Sequence, residues 1–291
     1  MIAAAASASP VSSAPPVHLV PAAALAPADP DEPSAQAVIA WYDTHCHLAD
    51  SALACRLPEI TTAAHAAGVQ RFMVPSVTEA DFDAVCRLHA PPKYYGALGL
   101  HPWFVESFQP GLISRIAERL QAQPGLLVGE IGLDYYGDRK HTRAAQTTAL
   151  LAQLDLAQQF GRPVLLHHVR AAADVVAALK HSGFRSGGIA HAFSGSLEEA
   201  RTFIRCGLLI GIGTLVLNPN ARKVRTAAVE LPLEYLVLET DSPFMQIADA
   251  RENTPANVRQ VAETVAALRG ISMQEVAAAT EQNVDRLLSF S

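Results

Sequence analysis

Two histidines at the end of an apolar stretch are the first residues in the sequence whose types and spacing could do chemistry. The segment from residue 42 reads YDTHCHL. In a β-strand, alternate side chains point to opposite faces, so His45 and His47 share one face and Cys46 points the other way. Two imidazoles on one face can chelate a metal ion. Alone, the motif is equally consistent with two half-exposed histidines at a sheet edge.

Polar side chains follow four further apolar segments in the same way. A charged or imidazole group directly after an apolar strand is costly to bury unless it is paired or bound to metal. Neutral imidazoles with hard carboxylates suit Zn²⁺, Mn²⁺ or related divalent ions, and six ligands suffice for two ions when one carboxylate bridges them. The predicted ligands are His45, His47, Glu130, His167 or its neighbour His168, His191 and Asp241.

The segments that carry these residues alternate with longer amphipathic stretches from residue 38 onward. This alternation predicts a parallel sheet covered on both faces, either doubly wound and open or closed into a (β/α)8 barrel. The polar residues fall at the C-terminal ends of many strands, where barrels build their sites, so we favour the barrel. The predicted strands are Val38–Thr44, Arg71–Pro75, Tyr94–Leu100, Leu126–Ile131, Pro163–His167, Gly188–His191, Leu208–Ile212 and Tyr235–Glu239. The predicted helices are Leu57–Ala67, Glu79–His89, Leu112–Gln121, Thr142–Phe160, Ala172–Lys180 and Leu197–Cys206, with one or two more in Pro255–Ser291.

The start of the chain differs in composition from the rest. Residues 1–40 contain 14 Ala, 7 Pro and 5 Ser, and the first basic residue is Arg56. A secretory signal needs a basic region before an unbroken apolar run, and transit peptides are rich in Arg, so neither is predicted. We expect a disordered extension over 1–37 and one barrel domain over 38–291, close to the ~250 residues of a single barrel. A start codon set too far upstream would give the same pattern.

The charge and cysteine usage limit the possible partners and compartments. The formal net charge is −6, and the nearest thing to a basic cluster is Arg222, Lys223 and Arg225. A sequence-independent grip on a nucleic-acid backbone needs clustered Lys and Arg. The four cysteines show no CxxC spacing, which argues against a zinc ribbon or a disulfide framework. A reducing cytoplasm is therefore the simplest compartment. Prolines interrupt the apolar stretches near the start of the chain, so no membrane anchor is predicted, and a monomer is the default expectation.

Five sequence blocks resemble the signature of the TatD family of metal-dependent hydrolases, in the amidohydrolase-like barrel superfamily. They are YDTHCHL, GLHPW, GEIGLDYY, HAFSGS and LETDSP, in the family's order, and the resemblance runs from about Tyr42 to the C-terminus. It implies a (β/α)8 barrel with two divalent metal ions, with Zn, Mn and Mg as candidates, at the C-terminal rim. It also implies a phosphodiesterase or deoxyribonuclease whose substrate is DNA or a small phosphodiester.

The resemblance implies a role for each residue of the first metal site. His45 and His47 match the histidines that hold the first metal, and Glu130 matches the carboxylate that bridges both metals. Asp241 matches the carboxylate that binds the first metal and accepts the proton of water. Asp43, beside the histidine pair, could orient a ligating imidazole or serve only as a strand-end carboxylate.

The second metal site resembles the family pattern with one departure. His191 and a histidine of the fifth strand match the second-metal ligands. The family usually has one histidine there, followed closely by Arg, whereas this chain has His167 and His168 before Arg170. Only one of two adjacent residues can face the barrel. We favour His167 because its distance from Pro163 matches the family's strand length.

Further residues near the predicted rim could contact substrate. His101 follows the third predicted strand, and we expect it to contact substrate rather than to bind metal. Arg143 and Arg170 are candidates to hold a phosphate, with a solvated helix face as the competing interpretation. Trp103 and Phe104 could stack on a base or simply pack in their loop.

The predicted reaction is hydrolysis of DNA ends or single strands by a metal-activated water, with Asp241 as the general base. An amidohydrolase-type reaction on cyclic amides, lactones or other small phosphoesters is the alternative, because the fold does not settle the reaction. Glu130 stands where many amidohydrolases carry a modified lysine, which favours the phosphodiesterase. A metal-carrying interaction module is disfavoured because all six ligands and the base are present.

Overall fold

Eight parallel strands form a barrel in the computed structural model, which describes residues 39–245, 247 and 252–289. Each strand pairs with the next one along the chain, from β1 to β8. This confirms the (β/α)8 architecture that the alternation of short strands and helices predicts. The strands are β1 (Trp41–Asp43), β2 (Val69–Pro75), β3 (Tyr94–Leu98), β4 (Leu127–Asp134), β5 (Val164–Val169), β6 (Gly188–Ala190), β7 (Leu208–Ile212) and β8 (Leu236–Leu238).

Backbone hydrogen bonds just beyond the ends of β1 and β8 join the first strand to the last. The Asp241 N–H donates to the His45 carbonyl over 2.8 Å, and the His47 N–H donates to the Ser242 carbonyl over 2.7 Å. Two chain segments that carry predicted ligands are therefore bonded directly to each other.

Helices between the strands cover the outside of the barrel. In α4, the buried residues Leu112, Ile116 and Leu120 recur every fourth position, which gives the helix one apolar face toward the strands. Ser196 and Ser272 form capping boxes at the starts of α7 and α10. The described helices are α1 (Ser51–Ala54), α2 (Leu57–Ala66), α3 (Phe82–Leu88), α4 (Pro110–Ala122), α5 (Arg143–Gln159), α6 (Ala172–His181), α7 (Leu197–Arg205), α8 (Arg222–Glu230), α9 (Val258–Arg269) and α10 (Met273–Leu288).

One layer of apolar side chains fills the lower part of the barrel interior, and each strand contributes one residue to it. Side chains alternate along a strand, so the residue two positions later also points inward, nearer the C-terminal rim. On β5 this places His167 beyond Leu165, and after β6 it places His191 beyond Ile189. This apolar layer consists of Tyr42, Met73, Ala97, Leu127, Leu165, Ile189, Leu209 and Val237.

The predicted strands are all present, with ends that shift by a few residues. The sequence prediction did not include α8, whose basic residues it interpreted only as a local charged patch. The buried side of α8 consists of Val224, Ala227 and Ala228, which is a weak apolar signal. The predicted extension over 1–37 lies outside the described residues. Within the part of the chain that is described, no helix is long and apolar enough to cross a membrane.

Candidate metal centre

The Glu130 carboxylate lies at the centre of a buried cluster at the C-terminal end of the barrel. Its Oε2 atom is 3.2 Å from His45 Nε2 and 3.6 Å from His47 Nε2. Asp241 Oδ1 lies 3.3 Å from His47 Nε2 and 3.7 Å from His45 Nε2. We call this group, His45, His47 and Asp241 around Glu130 Oε2, the Oε2 side.

The other oxygen of Glu130 faces a second group of imidazoles. Glu130 Oε1 is 2.7 Å from His191 Nε2, 2.9 Å from His167 Nδ1 and 3.2 Å from His101 Nε2. We call these three histidines the Oε1 side. Glu130 therefore connects two sets of donor atoms, one with each of its oxygens.

The chemistry of these donor atoms fits divalent cations. His45 Nε2 and His47 Nε2 are 3.3 Å apart, so at least one of them presents a lone pair rather than a proton to the other. Sets of three possible ligand atoms within 4.8 Å of one another occur on both sides of Glu130. Imidazole nitrogen with carboxylate oxygen is a donor set that Zn²⁺ and Mn²⁺ accept.

The two adjacent histidines of β5 point to opposite sides of the strand. His167 faces the cluster. His168 packs between the barrel and α7, with its ring 5.8 Å from that of Phe193 and 4.9 Å from that of Phe203. Burial, together with the nearby His191, lowers the pKa of His168 to about 3. The geometry thus brings His167, and not His168, to Glu130.

A second carboxylate, Asp134 at the end of β4, orients His167. Asp134 Oδ2 lies 3.1 Å from His167 Nε2 and accepts a hydrogen bond from Trp103 Nε1 over 2.5 Å. Burial alone would raise the pKa of Asp134, but these two contacts and a hydrogen bond from the Tyr136 N–H lower it to about 2. Because an ionised carboxylate only accepts, His167 donates from Nε2 to Asp134, which leaves Nδ1, beside Glu130, as the nitrogen that could bind a cation.

His101 is buried beside the cluster rather than lining an open mouth. Its Nδ1 accepts a hydrogen bond from the Trp103 backbone N–H over 3.2 Å. In the neutral ring, Nε2 therefore carries the proton and can donate to Glu130 Oε1. A nitrogen that carries a proton is not a metal ligand, and the backbone bond at Nδ1 keeps the proton of the neutral ring on Nε2, so His101 is not among the proposed ligands.

The Asp43 carboxylate accepts hydrogen bonds from backbone N–H groups, and no hydrogen bond joins it to an imidazole ring among the described residues. Its carboxylate accepts from the N–H groups of His45 and Thr240 over 3.3 and 3.0 Å, and from the Thr240 hydroxyl over 2.6 Å. It thereby links the ends of β1 and β8. Of the two interpretations of Asp43, the structure shows the strand-end carboxylate.

The surrounding histidines keep Glu130 ionised. Burial alone would raise the pKa of Glu130, but His191, His101 and His45 lower it well below its usual range. Burial opposes the charged form of His191, yet Glu130 raises the pKa of His191 to about 9. Burial and the neighbouring His191 lower the pKa of His45 to about 4. Burial opposes the charged forms of His47 and His167 too, but their hydrogen bonds to Asp241 and Asp134 raise both pKa values. Without metal, the cluster therefore holds protons that a cation must displace.

Glu239 is a buried carboxyl whose role the sequence prediction did not assign. Its Oε1 accepts from the Ala192 N–H, while Oε2 has no hydrogen-bond partner among the described residues. Burial raises the pKa of Glu239 to about 7. Gly211 makes room for it, since a Cβ there would lie 2.3 Å from Oε2. Glu239 comes two residues after Val237, so strand alternation alone places it inside the barrel.

Several residues around the cluster have backbone conformations that side chains disfavour. Asp241 has a φ of 56° and Ala192 a φ of 47°. Such left-handed conformations cost about 1–3 kcal/mol and persist where surrounding structure imposes them, often at functional sites. At Gly132, with a φ of 146°, a Cβ would lie 1.9 Å from the His167 carbonyl oxygen, so this close approach of β4 and β5 requires glycine.

The two arginines predicted to hold phosphate have different surroundings. Arg143 is ion-paired with Asp174 and stacks 4.8 Å from the centre of the Tyr135 ring. Its charge is thus already compensated, which weakens its candidacy. Arg170 lies 4.6 Å from the centre of the Tyr136 ring and forms no ion pair with a described residue. Of the two, Arg170 is the better placed to meet an anion.

Sequence reasoning missed a third arginine, Arg139, in the loop after β4. Its guanidinium lies 4.1 Å from the centre of the Trp103 ring, and one of its nitrogens is 3.8 Å from Asp134 Oδ2. The loop has no periodic pattern that would place this side chain. Only its closeness in sequence to Asp134 could have suggested it.

Comparisons with known proteins agree with this architecture. The family model for TatD related DNase matches residues 42–289. The uncharacterized metal-dependent hydrolase YjjV of Escherichia coli K12 is 32% identical over 257 residues, which cover 87% of this chain and 99% of that protein. YabD of Bacillus subtilis 168, with the same description, is 32% identical over 263 residues, covering 86% and 99%. The crystal structure of YjjV matches 86% of this chain and 98% of its own, with a TM-score of 0.81.

Proposed function

The chain belongs to the TatD family of metal-dependent hydrolases, and from this premise we propose that it cleaves phosphodiester bonds of DNA, at ends or in single strands. The observation that carries the proposal is Glu130, whose two oxygens face separate donor sets. Glu130 could hold a cation with each oxygen, and two such cations would supply stabilisation of both the attacking and the leaving oxygen of a phosphoryl displacement.

In this proposal, two divalent ions, with Zn, Mn and Mg as the candidates, share Glu130. When bound, they would polarise the scissile bond and lower the pKa of water. The protein's part is to hold the donor atoms, with Asp134 fixing His167 and backbone bonds fixing the Oε2 side. The proposed ligands are His45, His47 and Asp241 on the Oε2 side, His167 and His191 on the Oε1 side, and Glu130 between them.

Asp241 is the proposed general base. Burial alone would raise its pKa, but the hydrogen bond from His47 and the charge of His191 lower it. The carboxylate is therefore ionised at neutral pH and can accept a proton from water. Its backbone N–H donates to the His45 carbonyl, which fixes Asp241 beside the other donors of the Oε2 side. Glu130, held ionised by three histidines, keeps its negative charge between the two sets of donors.

A strand end or a single strand suits this surface better than a long duplex. The net charge of −6 opposes a sequence-independent hold along duplex DNA, which needs clustered Lys and Arg. Arg139 and Arg170 supply positive charge only locally, beside the cluster. A monomeric state and a cytoplasmic location stay predictions from the sequence.

The substrate is tested with the metal-loaded protein and three compounds. Protein loaded with Mn²⁺ or Mg²⁺ is incubated with single-stranded DNA, a generic phosphodiester and a dihydropyrimidine amide, and its metal content is measured by mass spectrometry. We expect about two ions per chain and hydrolysis of both phosphodiesters. Cleavage of the amide alone would overturn the proposal and favour the amidohydrolase alternative.

The role of Asp241 is tested with Asp241→Asn. The amide cannot accept the proton, so turnover should fall by about 10²–10⁴-fold, the usual contribution of general-base catalysis. Much of the metal should remain, because five of the six proposed ligands are unchanged. Normal turnover in this variant would refute the assignment.

A further inference from the structure

The strongly exposed apolar side chains of the described residues concentrate around the metal centre. Of seven such residues, only Val229 on α8 lies elsewhere. Soluble proteins seldom group exposed apolar side chains except at binding surfaces. The six at the C-terminal rim are Trp103 and Phe104 after β3, Tyr136 after β4, Val169 at the end of β5, and Phe244 and Met245 after β8.

Phe244 adjoins the Oε2 side of the cluster. Its ring centre is 5.1 Å from that of His47, with the rings at 75°, and the residue is 45% exposed. The buried Asn253 donates from Nδ2 to the carbonyls of Phe244 and Thr240 over 2.6 and 2.7 Å. The ring is thus anchored at its backbone while much of its surface faces solvent.

Trp103 adjoins the Oε1 side. Its ring centre is 5.1 Å from that of His101, and the residue is 50% exposed. The bond from Nε1 to Asp134 fixes the indole, and the Arg139 guanidinium stacks on it. Trp103 therefore combines a fixed aromatic surface with an adjacent positive charge.

The two rings adjoin histidines that face different oxygens of Glu130, since Phe244 contacts His47 near Oε2 and Trp103 contacts His101 near Oε1. Their loops follow strands that are three places apart around the barrel. We propose that Phe244 and Trp103 each stack on one base of a single-stranded nucleic acid, one on each side of the phosphodiester bond that is cleaved. This inference rests on the phosphodiesterase function proposed above.

Aromatic stacking with nearby arginine charge is the usual chemistry of single-strand binding without sequence preference. Arg139 on Trp103 and Arg170 on Tyr136 provide two such pairs at the rim. A base-paired duplex could not offer its base faces to these rings, because they are stacked within the helix. The arrangement therefore selects unpaired nucleotides, such as a single strand or a frayed end.

Tryptophan fluorescence tests the contact directly. The chain has two tryptophans, of which Trp41 is 3% exposed in the core and Trp103 is half exposed. The Asp241→Asn protein with Mg²⁺ is titrated with a short oligothymidylate, while anisotropy of a labelled strand measures binding separately. We expect the exposed, red-shifted part of the emission to be quenched as the strand binds, and Trp103→Phe to remove that quenching. Binding without quenching, or no binding, would overturn the proposal for Trp103.

Kinetics with abasic substrates test both rings. The bond is placed between two ordinary nucleotides, or next to an abasic tetrahydrofuran residue on one side or the other. We expect KM to rise roughly tenfold to a hundredfold when either base is missing, the range of one stacking contact. With metal at saturating concentration, Trp103→Leu and Phe244→Leu should each raise KM for the ordinary substrate and leave KM for the matching abasic substrate unchanged. Val229→Ala, at the exposed apolar position away from the rim, is the control.

The outcomes separate this inference from the function on which it rests. Equal KM for ordinary and abasic substrates, with efficient cleavage of both, would refute stacking and leave the phosphodiesterase in place. A variant whose KM rises equally for both substrates would show only structural damage, and that outcome also refutes the inference. Failure of the wild-type protein to cleave any phosphodiester with metal bound would refute the proposed function itself.

Discussion

The two ends of the barrel interior are built on the same strands and have opposite chemistry. The lower end is the apolar layer, in which every strand contributes one apolar side chain. Two positions further along β5 and past β6 and β8, the inward residues are His167, His191 and Glu239. On these three strands, the inward position two residues closer to the C-terminal rim thus belongs to a cluster of titratable groups instead of the packed core.

The two ends also differ in how well their polar atoms are satisfied. Among the described residues, the upper end has three buried atoms without a hydrogen-bond partner, His45 Nδ1, His191 Nδ1 and Glu239 Oε2, and the apolar layer has one, the Tyr42 hydroxyl. Each such atom costs roughly 1–3 kcal/mol of stability. The apolar layer instead gains from burial and packing. Stability should therefore depend on the lower end, which is the apolar layer, and activity on the upper end, where the metal-binding donors lie. Five predictions test this division.

The largest expected effect comes from His167→Ala at the upper end. Loss of this donor should reduce the metal content and lower the rate of phosphodiester hydrolysis by about 10³-fold or more, since metal stabilisation of the transition state is worth several kcal/mol. Rates and mass-spectrometric metal content measure this. In chelator, the variant should lose less unfolding free energy than the matched variant two residues earlier, Leu165→Ala.

Leu165→Ala should do the reverse at the lower end. Truncating a fully buried leucine leaves a cavity and should lower the free energy of unfolding by about 2–5 kcal/mol. Urea unfolding with and without metal measures this loss. The folded fraction should keep its kcat, because Leu165 contacts the apolar layer and not the donors. A large drop in kcat with unchanged stability would contradict the division.

Asp134→Asn tests how the upper end is supported. The amide keeps the size of the side chain but loses the charge that holds the His167 Nε2 proton, so metal affinity should fall about 10–100-fold. Metal titration with a competing chelator measures it. Asp174→Asn, which alters a rim carboxylate paired with Arg143, is the matched control and should leave affinity unchanged. Equal losses in both variants would count against tautomer control by Asp134.

The raised pKa of His191, at the upper end, predicts that stability and metal affinity change in opposite directions with pH. His191 has a pKa raised to about 9 in the folded, metal-free state, above the ordinary value of 6.5. Its stabilising contribution is complete below pH 6.5 and is lost as pH rises toward 9. Metal must displace this proton, so affinity should rise by about tenfold per pH unit over the same window. The free energy of unfolding is measured in urea with chelator, and the metal affinity by titration, each at pH 6.5 and pH 9. A stability and an affinity that change in the same direction with pH would refute the prediction.

The smallest effect on activity is expected when residues 1–36 are removed. A chain that starts at Ala37 should bind the same metal and hydrolyse substrate at the full rate, because every proposed ligand follows that residue. Metal content and kcat/KM of the two chains measure this. Loss of either would show that residues 1–36 support the barrel.

Strand alternation explains why much of this could be predicted from the sequence. It predicted that His45 and His47 share a face, although both lie beyond the end of β1, and it required that only one of His167 and His168 face inward. It applies less well to Glu130, because the β4–β5 register shifts between Val128 and Ile131. Glu130 was predicted as a ligand because it lies near the end of an apolar strand, and the family resemblance supplied its bridging role.

The contacts made by loops could not be predicted in this way. The bond from Trp103 to Asp134 and the stacking of Arg139 join residues of two loops without a periodic pattern. The tautomer of His101 depends on one backbone N–H two residues away. Such contacts follow from how the chain packs after the barrel closes, and local sequence patterns do not encode them.

The bonds between the ends of β1 and β8 have a consequence for synthesis. Thr44 and Leu238, which are 194 residues apart, are joined by a side-chain hydrogen bond beside the backbone bonds of Asp241 and His47. The donors of the Oε2 side therefore cannot assemble on a partial chain. While the ribosome is still making the polypeptide, His45 and His47 lack Asp241, and complete metal loading must wait until nearly the whole chain has emerged.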